Sequence, residues 1–269
     1  MLRKISFILL SAGLLVSCAK NAITGRSQLK LVPESELQSM ATQQYQQFLT
    51  QNRVVSPSAD RDAEMVRRVG QRLSGAVEQY FASKGLQSQL QGYKWEYNLV
   101  DNKEANAWCM PGGKIVVYSG LLPYTQNEAA LAIVLGHEIT HAVFQHGNER
   151  MSNGLLQQLG GAALSVALSQ KPAETQNLFL QAYGVSSTVL GTLPFSRKDE
   201  SEADHYGLIW AALAGYNPRE AVTFWQRMSQ ANTQKPAEFL SDHPSDSRRI
   251  KQIQDWMPEA LTYYKPMGR

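Results

Sequence analysis

The chain has 269 residues, of which 26 are Lys or Arg and 23 are Asp or Glu, so its formal net charge is only +3. Because this charge is small and no basic cluster stands out, the sequence argues against a nucleic-acid partner. The length suits one compact domain after a short N-terminal leader. There are two cysteines, Cys18 and Cys109. If Cys18 is modified, no second free cysteine is left to form an internal disulfide with Cys109.

The first residues have the pattern of an export signal. Arg3 and Lys4 precede an apolar run, Ile5–Val16, which is shorter than the roughly 20 residues needed to span a bilayer. The run ends in LVSC, which resembles the lipobox of bacterial lipoproteins, so Cys18 is the predicted acylated residue. The alternative is an ordinary signal peptide followed by an incidental cysteine.

This N-terminal pattern predicts the organisation of the chain and its location. We expect a lipoprotein signal peptide over 1–17, a lipidated N-terminus and tether over 18–28, and a single zinc metalloprotease domain over 29–269. Several acyl chains would hold the protein on a membrane almost permanently. The predicted location is the bacterial cell envelope, as a periplasm-facing lipoprotein. The outer membrane is preferred over the inner one because Ala19 and Lys20, which follow the cysteine, are not acidic.

Hydrophobic periodicity predicts a mostly helical α+β chain with one minor sheet. Apolar residues recur at helical spacing over 33–49 and again over 63–82. Alternation in KWEYNLV (94–100) and the apolar run in GGKIVVYSG (112–120) predict two strands. We expect these two strands to form a small antiparallel sheet.

The second half of the chain is predicted to be helical. Thr125 to Glu128 has the form of a capping box, so a helix should run from there to about Glu149. Ser196 and Asp199 can cap a later helix, which should end near residue 214. Further helices are expected after Asn217-Pro218 and after His243-Pro244.

The stretch VLGHEITHAVFQHG (134–147) places polar residues within an apolar helix. His137 and His141 lie one turn apart and about 40° apart around the axis, so both imidazoles can reach one ion. Glu138 lies on the flank of that pair, close enough to touch a metal-bound water without ligating the metal. Two surface histidines beside a glutamate are the alternative. Because the helix is apolar nearly all round, and buried imidazoles need partners, a metal site is favoured.

A catalytic zinc needs a third protein ligand and one open position. The longer pattern with a third histidine fails because Gly147 occupies that position, and His146 lies about 180° around the helix from the first histidine, which predicts that it is non-ligating. SRKDESEADHYG (196–207) is a better candidate. Glu200 can ligate, and Asp204 can accept a hydrogen bond from the outer nitrogen of a ligating histidine. A charged, solvated helix start is the alternative.

The pairing of HEITHAVFQHG with SRKDESEADHYG resembles metallopeptidase family forty-eight, the gluzincin family that contains the HtpX and CAAX-prenyl endopeptidases. Further motifs agree with it: TGRSQLKLV, NAWCMPGGKIVVYSGLL, AGYNP and FLSDHPSDSRRI. The resemblance implies a mostly helical gluzincin domain with a small sheet beside the active-site helix. It is closest to the lipoprotein branch, because the chain lacks the several long membrane helices of the integral members.

The resemblance also implies roles for individual residues. Glu200 would be the third ligand, beside His137 and His141, of one Zn²⁺ per chain. Glu138 would be the general base toward a water activated by that zinc. A nucleophilic role for Cys109 is disfavoured because no histidine lies near it in sequence, so it is predicted to be a packing residue.

Two residues of the FLSDHPSDSRRI segment match family positions near the active site. His243 could donate to the tetrahedral oxyanion, occupy the zinc's open position in a resting state, or only cap the following helix. Arg249 could stabilise the oxyanion or anchor the segment to an acidic neighbour. The sequence leaves these alternatives open.

The substrate is expected to bind as an added strand. Gly113, Lys114, Ile115, Val116 and Val117 belong to the strand expected at the sheet edge nearest the zinc helix, where an extended peptide can pair with free backbone groups. The alternative is that this strand lies inside the sheet.

The predicted function is a membrane-anchored, zinc-dependent endopeptidase that cleaves unfolded or misassembled envelope proteins. One alternative is a chaperone or assembly factor with a latent or structural zinc site. Another is a metal-dependent hydrolase of a non-peptide substrate. The oligomeric state stays open, as does a lid role for residues 150–195.

Overall fold

Helices surround one small sheet in the computed structural model, which describes residues 18–159, 172–185, 195–231, 243 and 247–266. The strands are β1 (Cys18–Lys20), β2 (Ser27–Leu29), β3 (Val54–Val55), β4 (Glu96–Val100), β5 (Ala107–Met110) and β6 (Lys114–Tyr118). The helices are α1 (Glu34–Gln51), α2 (Arg61–Ser83), α3 (Leu122–Thr125), α4 (Glu128–Val143), α5 (His146–Leu159), α6 (Pro172–Ala182), α7 (Arg197–Leu213), α8 (Glu220–Ala231) and α9 (Ser247–Tyr263). The predicted mostly helical α+β class is confirmed.

Two sequence predictions reach beyond these ranges. The signal peptide over 1–17 lies outside the described residues, and the lid over 150–195 lies only partly within them. Within the described ranges, no helix is both long enough and apolar enough to cross a membrane.

The main sheet has four strands in the order β3-β4-β6-β5 and is mixed. β4 and β6 are the two strands expected to pair in antiparallel fashion, but they run parallel, with Glu96 opposite Lys114. The reason is β5, which the sequence analysis did not identify. The chain reverses before β5 and again at Gly112 and Gly113, whose φ angles are +78° and +80°, so β6 returns in the direction of β4.

Helices cover both faces of this sheet. Ile115 and Val117 of β6 belong to a core cluster that includes residues of α2, α4 and α7. Val116 of the same strand, with Trp108 of β5, faces a second cluster formed with α1, α5 and α6. All residues of β5 and β6 are buried, and a strand buried on both faces loses the alternation that reveals strands in a sequence.

Helix α4 is shorter than predicted at both ends. Its N-cap is Asn127, whose side chain accepts from the Ala130 backbone N–H, so the expected capping box at Thr125 does not form. The helix ends at Val143 instead of continuing to Glu149. Gln145 adopts a left-handed conformation (φ +58°), which breaks the helix and starts α5 in a new direction. By contrast, the capping box predicted at Ser196 and Asp199 is present at the start of α7.

The segment before α1 is folded against the body of the protein. β1 and β2 form an antiparallel pair, with Cys18 opposite Leu29. The buried Gln28 side chain donates to the Phe144 carbonyl at 3.0 Å, and Ile23 packs on the larger core cluster. These contacts hold Ile23 and Gln28, within the predicted tether, against the helical body.

Candidate metal centre

Two helices distant in sequence and the segment before α9 bring together four side chains of the types that ligate metals. His137 and His141 come from α4, Glu200 comes from α7, and His243 joins them from the segment before α9; all four are buried. The two Nε2 atoms of the α4 histidines are 2.9 Å apart. Oε1 of Glu200 lies 3.3 Å from His141 Nε2, and Oε2 lies 3.6 Å from His137 Nε2.

These separations fit a zinc ion. Ligands at tetrahedral angles and zinc bond lengths of 2.0–2.1 Å stand about 3.3 Å from one another. The three measured separations among His137, His141 and Glu200, from 2.9 to 3.6 Å, bracket that value. Two imidazoles and one carboxylate are also a donor set found in catalytic zinc sites. That these residues hold zinc stays a prediction.

Burial sets the protonation of this group. Desolvation lowers the pKa of His137 and lowers that of His141 well below its ordinary value, which favours the neutral imidazole. Burial alone would raise the pKa of Glu200. The neighbouring His243 and His137 and the hydrogen bond to His141 outweigh it, so the pKa lies well below the ordinary value and the carboxyl is ionised. Both states are those that a metal ligand requires.

Asp204 lies one turn after Glu200 and contacts the outer nitrogen of a predicted ligand. Its Oδ1 is 2.9 Å from His137 Nδ1, the partner position predicted for it. Arg249 holds this carboxylate in turn, with Nε 2.6 Å from Oδ2 and Nη2 2.7 Å from Oδ1. Arg249 also lies 3.2 Å from Glu200 and stacks on the Trp225 ring at 3.4 Å. These contacts favour its anchoring alternative over the oxyanion alternative.

His243 points into the centre rather than along α9. Its Nδ1 lies 3.0 Å from His137 Nε2 and 2.9 Å from Glu200 Oε1. Its Nε2 lies 3.5 Å from Oε1 of Glu138, which is buried on the flank of the histidine pair. This position favours the alternative in which His243 occupies the open position of the metal in a resting state. It does not match a residue that only caps a helix.

The edge position predicted for the substrate strand is wrong, and the alternative of an internal strand is the one observed. Gly113 precedes β6 and Lys114, Ile115, Val116 and Val117 lie in it, but β6 is flanked by β4 and β5 and has no free edge. The edge strand on the side of α4 is β5, since β6 inserts between β4 and β5 after two chain reversals. Cys109 of β5 is buried, and burial raises its pKa well above the ordinary value, which agrees with a neutral packing thiol.

The sequence analysis missed the contact that His146 makes. The prediction that His146 does not ligate the metal assumed a continuous helix that carries the ring to the far side. The break at Gln145 instead places His146 Nδ1 3.0 Å from His141 Nδ1. The contact depends on the left-handed φ of Gln145, and no residue pattern in the sequence predicts that angle.

A close helix crossing fixes the distance between the two halves of the centre. A Cβ atom on Gly207 of α7 would lie 2.9 Å from the His137 backbone nitrogen, and one on Gly136 of α4 would lie 2.8 Å from the Gly207 carbonyl oxygen. Only glycines allow α4 and α7 to approach this closely. The crossing therefore sets how near Glu200 comes to the two histidines.

Replacing Gly207 with Ala is expected to lower the free energy of unfolding by about 1–3 kcal/mol, because the added methyl must push two packed helices apart. Zinc affinity should fall as well, since Glu200 moves with α7. Gly75→Ala is the matched control: it lies in α2 with open space around its Cβ position, and should raise stability by about 0.5–1 kcal/mol. Urea unfolding and zinc titration of both variants check this. Equal zinc affinity in a destabilised G207A variant would contradict the spacing argument.

The fold and the site together are those expected of a metallopeptidase. Comparison with known proteins agrees: the model of peptidase family M48 matches residues 62–257. The chain therefore belongs to peptidase family M48, and the resemblance read from the motifs is confirmed.

Several relatives with assigned names match part of the chain. The mitochondrial metalloendopeptidase OMA1 of Schizosaccharomyces pombe is 37% identical over 169 residues, which is 62% of this chain and 48% of that protein. The human mitochondrial metalloendopeptidase OMA1 is 30% identical over 247 residues, 89% of this chain and 46% of that protein. The beta-barrel assembly-enhancing protease of Escherichia coli O157:H7 is 29% identical over 162 residues, 58% of this chain and 33% of that protein. The chain spans about half or less of the length of these relatives.

The predicted location in a bacterial envelope is contradicted by these relatives. The fungal, plant and human relatives at 30–37% identity are mitochondrial proteins by name, so they point to mitochondria instead. The prediction rested on a short apolar run behind two basic residues and on the LVSC stretch, read as a lipobox, that ends it. Such a run marks a targeting segment without fixing the compartment that it addresses.

Proposed function

We propose that this chain is a zinc-dependent endopeptidase in which His137, His141 and Glu200 hold the metal. One observation carries the proposal: the two imidazoles and the carboxylate lie within 3.6 Å of one another in a buried centre. Glu138 lies on the same helix as the two histidines, where an HExxH protease has its base. Membership in family M48 supports the same reading.

The proposed roles divide between the metal and the protein. When bound, zinc would polarise the scissile carbonyl and lower the pKa of a bound water far enough to supply hydroxide near neutral pH. Glu138 would take the proton from that water and deliver it to the leaving amine. Asp204 would keep the proton on His137 Nδ1, so that Nε2 faces the metal. The buried surroundings exclude bulk water, which strengthens each of these interactions.

The proposed substrate is an extended segment of a polypeptide. β5 is an edge of the four-stranded sheet and packs against α4, the helix of the two histidines. Because β5 is buried in this structure, a peptide could add to this edge only after the covering groups move away. It would then run beside the metal centre and would be recognised through its backbone, with little demand on its side chains. That recognition suits an endopeptidase that acts on unfolded chains. Lipid attachment at Cys18 and envelope substrates depend on the bacterial setting and are not part of the proposal.

The same domain is proposed to include the N-terminal hairpin. Its boundary is then near residue 18, since the contacts of Ile23 and Gln28 join the hairpin to the helical body. The metalloprotease domain would extend from there through α9.

Zinc content and proteolysis of unfolded casein test the proposed function directly. The purified chain is expected to contain one zinc per molecule and to cleave casein. A chelator such as 1,10-phenanthroline should abolish cleavage, and added zinc should restore it where magnesium does not, because the donor set contains two imidazoles. Zinc binding without any cleavage would favour the chaperone alternative. Cleavage that survives complete zinc removal would overturn the proposal.

A further inference from the structure

A second cluster of charged groups lies beside the metal centre, and a residue of the N-terminal hairpin fills it. The Arg26 guanidinium contacts three carboxylates: Nη1 lies 2.9 Å from Glu149, Nη2 lies 2.5 Å from Asp199, and Nε lies 3.0 Å from Glu202. The Arg26 side chain is 17% exposed and that of Asp199 is 3% exposed. The acidic residues of the α7 start are therefore paired here, rather than solvated as expected for a helix first turn.

The cluster is connected to the metal centre by His146. Its Nε2 lies 3.0 Å from the same Glu202 oxygen that Arg26 contacts, and its Nδ1 lies 3.0 Å from His141 Nδ1. The His146 side chain is fully buried, so this bond is shielded from water. An unbroken line of contacts thus runs from Arg26 through Glu202 and His146 to His141.

The ligation of a metal by His141 would fix which group donates and which accepts at each of these contacts. If His141 binds a metal through Nε2, its proton must lie on Nδ1, which then donates to Nδ1 of His146. His146 in turn carries its proton on Nε2 and donates to Glu202. Arg26 donates to the same carboxylate from Nε. With neutral imidazoles, every donor in this line meets an acceptor when His141 turns Nε2 toward the metal.

Arg26 is held in place by its own turn. The Asn21 side chain accepts from the backbone N–H groups of Ile23 and Thr24, at 2.9 and 3.1 Å. Gly25 has a φ of +71°, a conformation that glycine adopts at no steric cost. The Arg26 carbonyl closes the turn by accepting from the Asn21 N–H at 2.8 Å. A preorganised turn loses little entropy when it presents the guanidinium to the three carboxylates.

We propose that Arg26 is a positioning residue of the metal centre, which acts through Glu202 and His146 to orient the ring of His141. The N-terminal hairpin is then part of the metal site, although it lies outside the stretch matched by the family model. Because the guanidinium neutralises the cluster of His146, Asp199 and Glu202, the same contacts explain why these three residues need no metal of their own. The inference rests on the proposed zinc ligation of His141.

Zinc affinity measured by competition with a chelator tests this assignment. Arg26→Gln is expected to raise the zinc dissociation constant about 10–100-fold, the usual effect of removing an outer partner of a metal ligand. Arg53→Gln is the matched control, because Arg53 is 82% exposed and pairs only at the surface with Asp101, so its dissociation constant should stay within about twofold of wild type. Should Arg26→Gln not fold, Glu202→Leu removes the shared acceptor of Arg26 and His146 and so breaks the same line. Unchanged zinc affinity in a folded variant would overturn the assignment.

A double-mutant cycle distinguishes orientation through His146 from a general loss of stability. In a His146→Leu background, Arg26→Gln should change the zinc dissociation constant less than about twofold, because the connection to His141 is already absent. A full 10–100-fold effect in that background would show that Arg26 acts by another route. If wild-type protein binds no zinc at all, the proposed function fails instead, so the two failures are distinguishable.

Linkage provides a readout that does not depend on activity. If Arg26 increases zinc affinity tenfold, zinc must favour hairpin docking by the same factor. Trypsin cleavage after Lys30 should then slow about tenfold when zinc is added to Glu138→Gln protein, which cannot digest itself. The same addition should have little effect when His146 is replaced by Leu. Equal protection in both proteins would contradict the proposed line of contacts.

Discussion

Replacing Glu138 with Gln is expected to lower kcat for casein or a peptide by about 10²–10⁴-fold, the usual contribution of a general base. The amide keeps the size of the side chain but cannot accept the proton that must leave the attacking water. Zinc content should stay at the wild-type level, because Glu138 lies outside the group of His137, His141, Glu200 and His243. The measurement is steady-state proteolysis together with metal analysis of the same sample.

The matched control for this variant is Glu128→Gln, three turns earlier on the same helix. Glu128 pairs with Arg68 at 2.5 Å and with Tyr216 at 3.2 Å, away from the metal centre. Its loss should cost some stability and leave kcat nearly unchanged. Equal proteolysis by wild-type protein and the Glu138 variant would exclude Glu138 as the base, whatever the metal content.

Replacing Glu200 with Ala is expected to lower zinc affinity by more than 100-fold, beyond the 10–100-fold that outer partners typically contribute. The reason is the loss of the only charged ligand among the three predicted ones, which also leaves the neutral imidazoles of His137 and His141 to hold a divalent ion alone. Proteolysis should be lost at ordinary zinc concentrations. Zinc titration monitored by competition with a chelator gives the affinity directly.

Glu259→Ala is the corresponding control for a surface carboxylate. Glu259 is 50% exposed and pairs with His205 at 2.8 Å, so its removal should leave zinc affinity unchanged. A Glu200 variant with wild-type zinc affinity would mean that His243 or another group is the third ligand. That result would preserve a metal site but would reject the arrangement proposed for it.

The helices and the centre of the site follow from local sequence patterns. The apolar spacing over 33–49 and 63–82 corresponds to α1 and α2, and Ser196 with Asp199 marks the start of α7. The HExxH spacing places two imidazoles on one face because an α-helix has a fixed period. These features depend on residues within a few turns of one another, which is why a single sequence suffices to predict them.

The features that could not be predicted depend on distant contacts or on single backbone angles. β5 is short and buried on both faces, so its residues show no alternation, and without it the direction of β6 was misjudged. The left-handed backbone conformation of Gln145 turns His146 toward the metal centre. Glutamine does not favour this conformation, so the sequence does not predict it. The pair of Arg26 and Asp199 joins residues 173 positions apart, and no spacing rule connects them.

The prediction of the protein's location failed for a different reason. A targeting segment is recognised by other proteins, and its apolar character alone does not identify its receptor. The relatives point to mitochondria, where the prediction named an envelope. The geometry of His137, His141 and Glu200 does not depend on the location, because it is a property of the folded domain.

X-ray absorption at the zinc edge, combined with anomalous diffraction from crystals of the zinc-loaded protein, tests the central claim most directly. We expect a single ion bound by Nε2 of His137, Nε2 of His141 and a carboxylate oxygen of Glu200, each at about 2.0–2.2 Å. An ion found elsewhere in the molecule, or a Glu200 carboxylate more than about 4 Å from an ion held by the two histidines, would contradict the account.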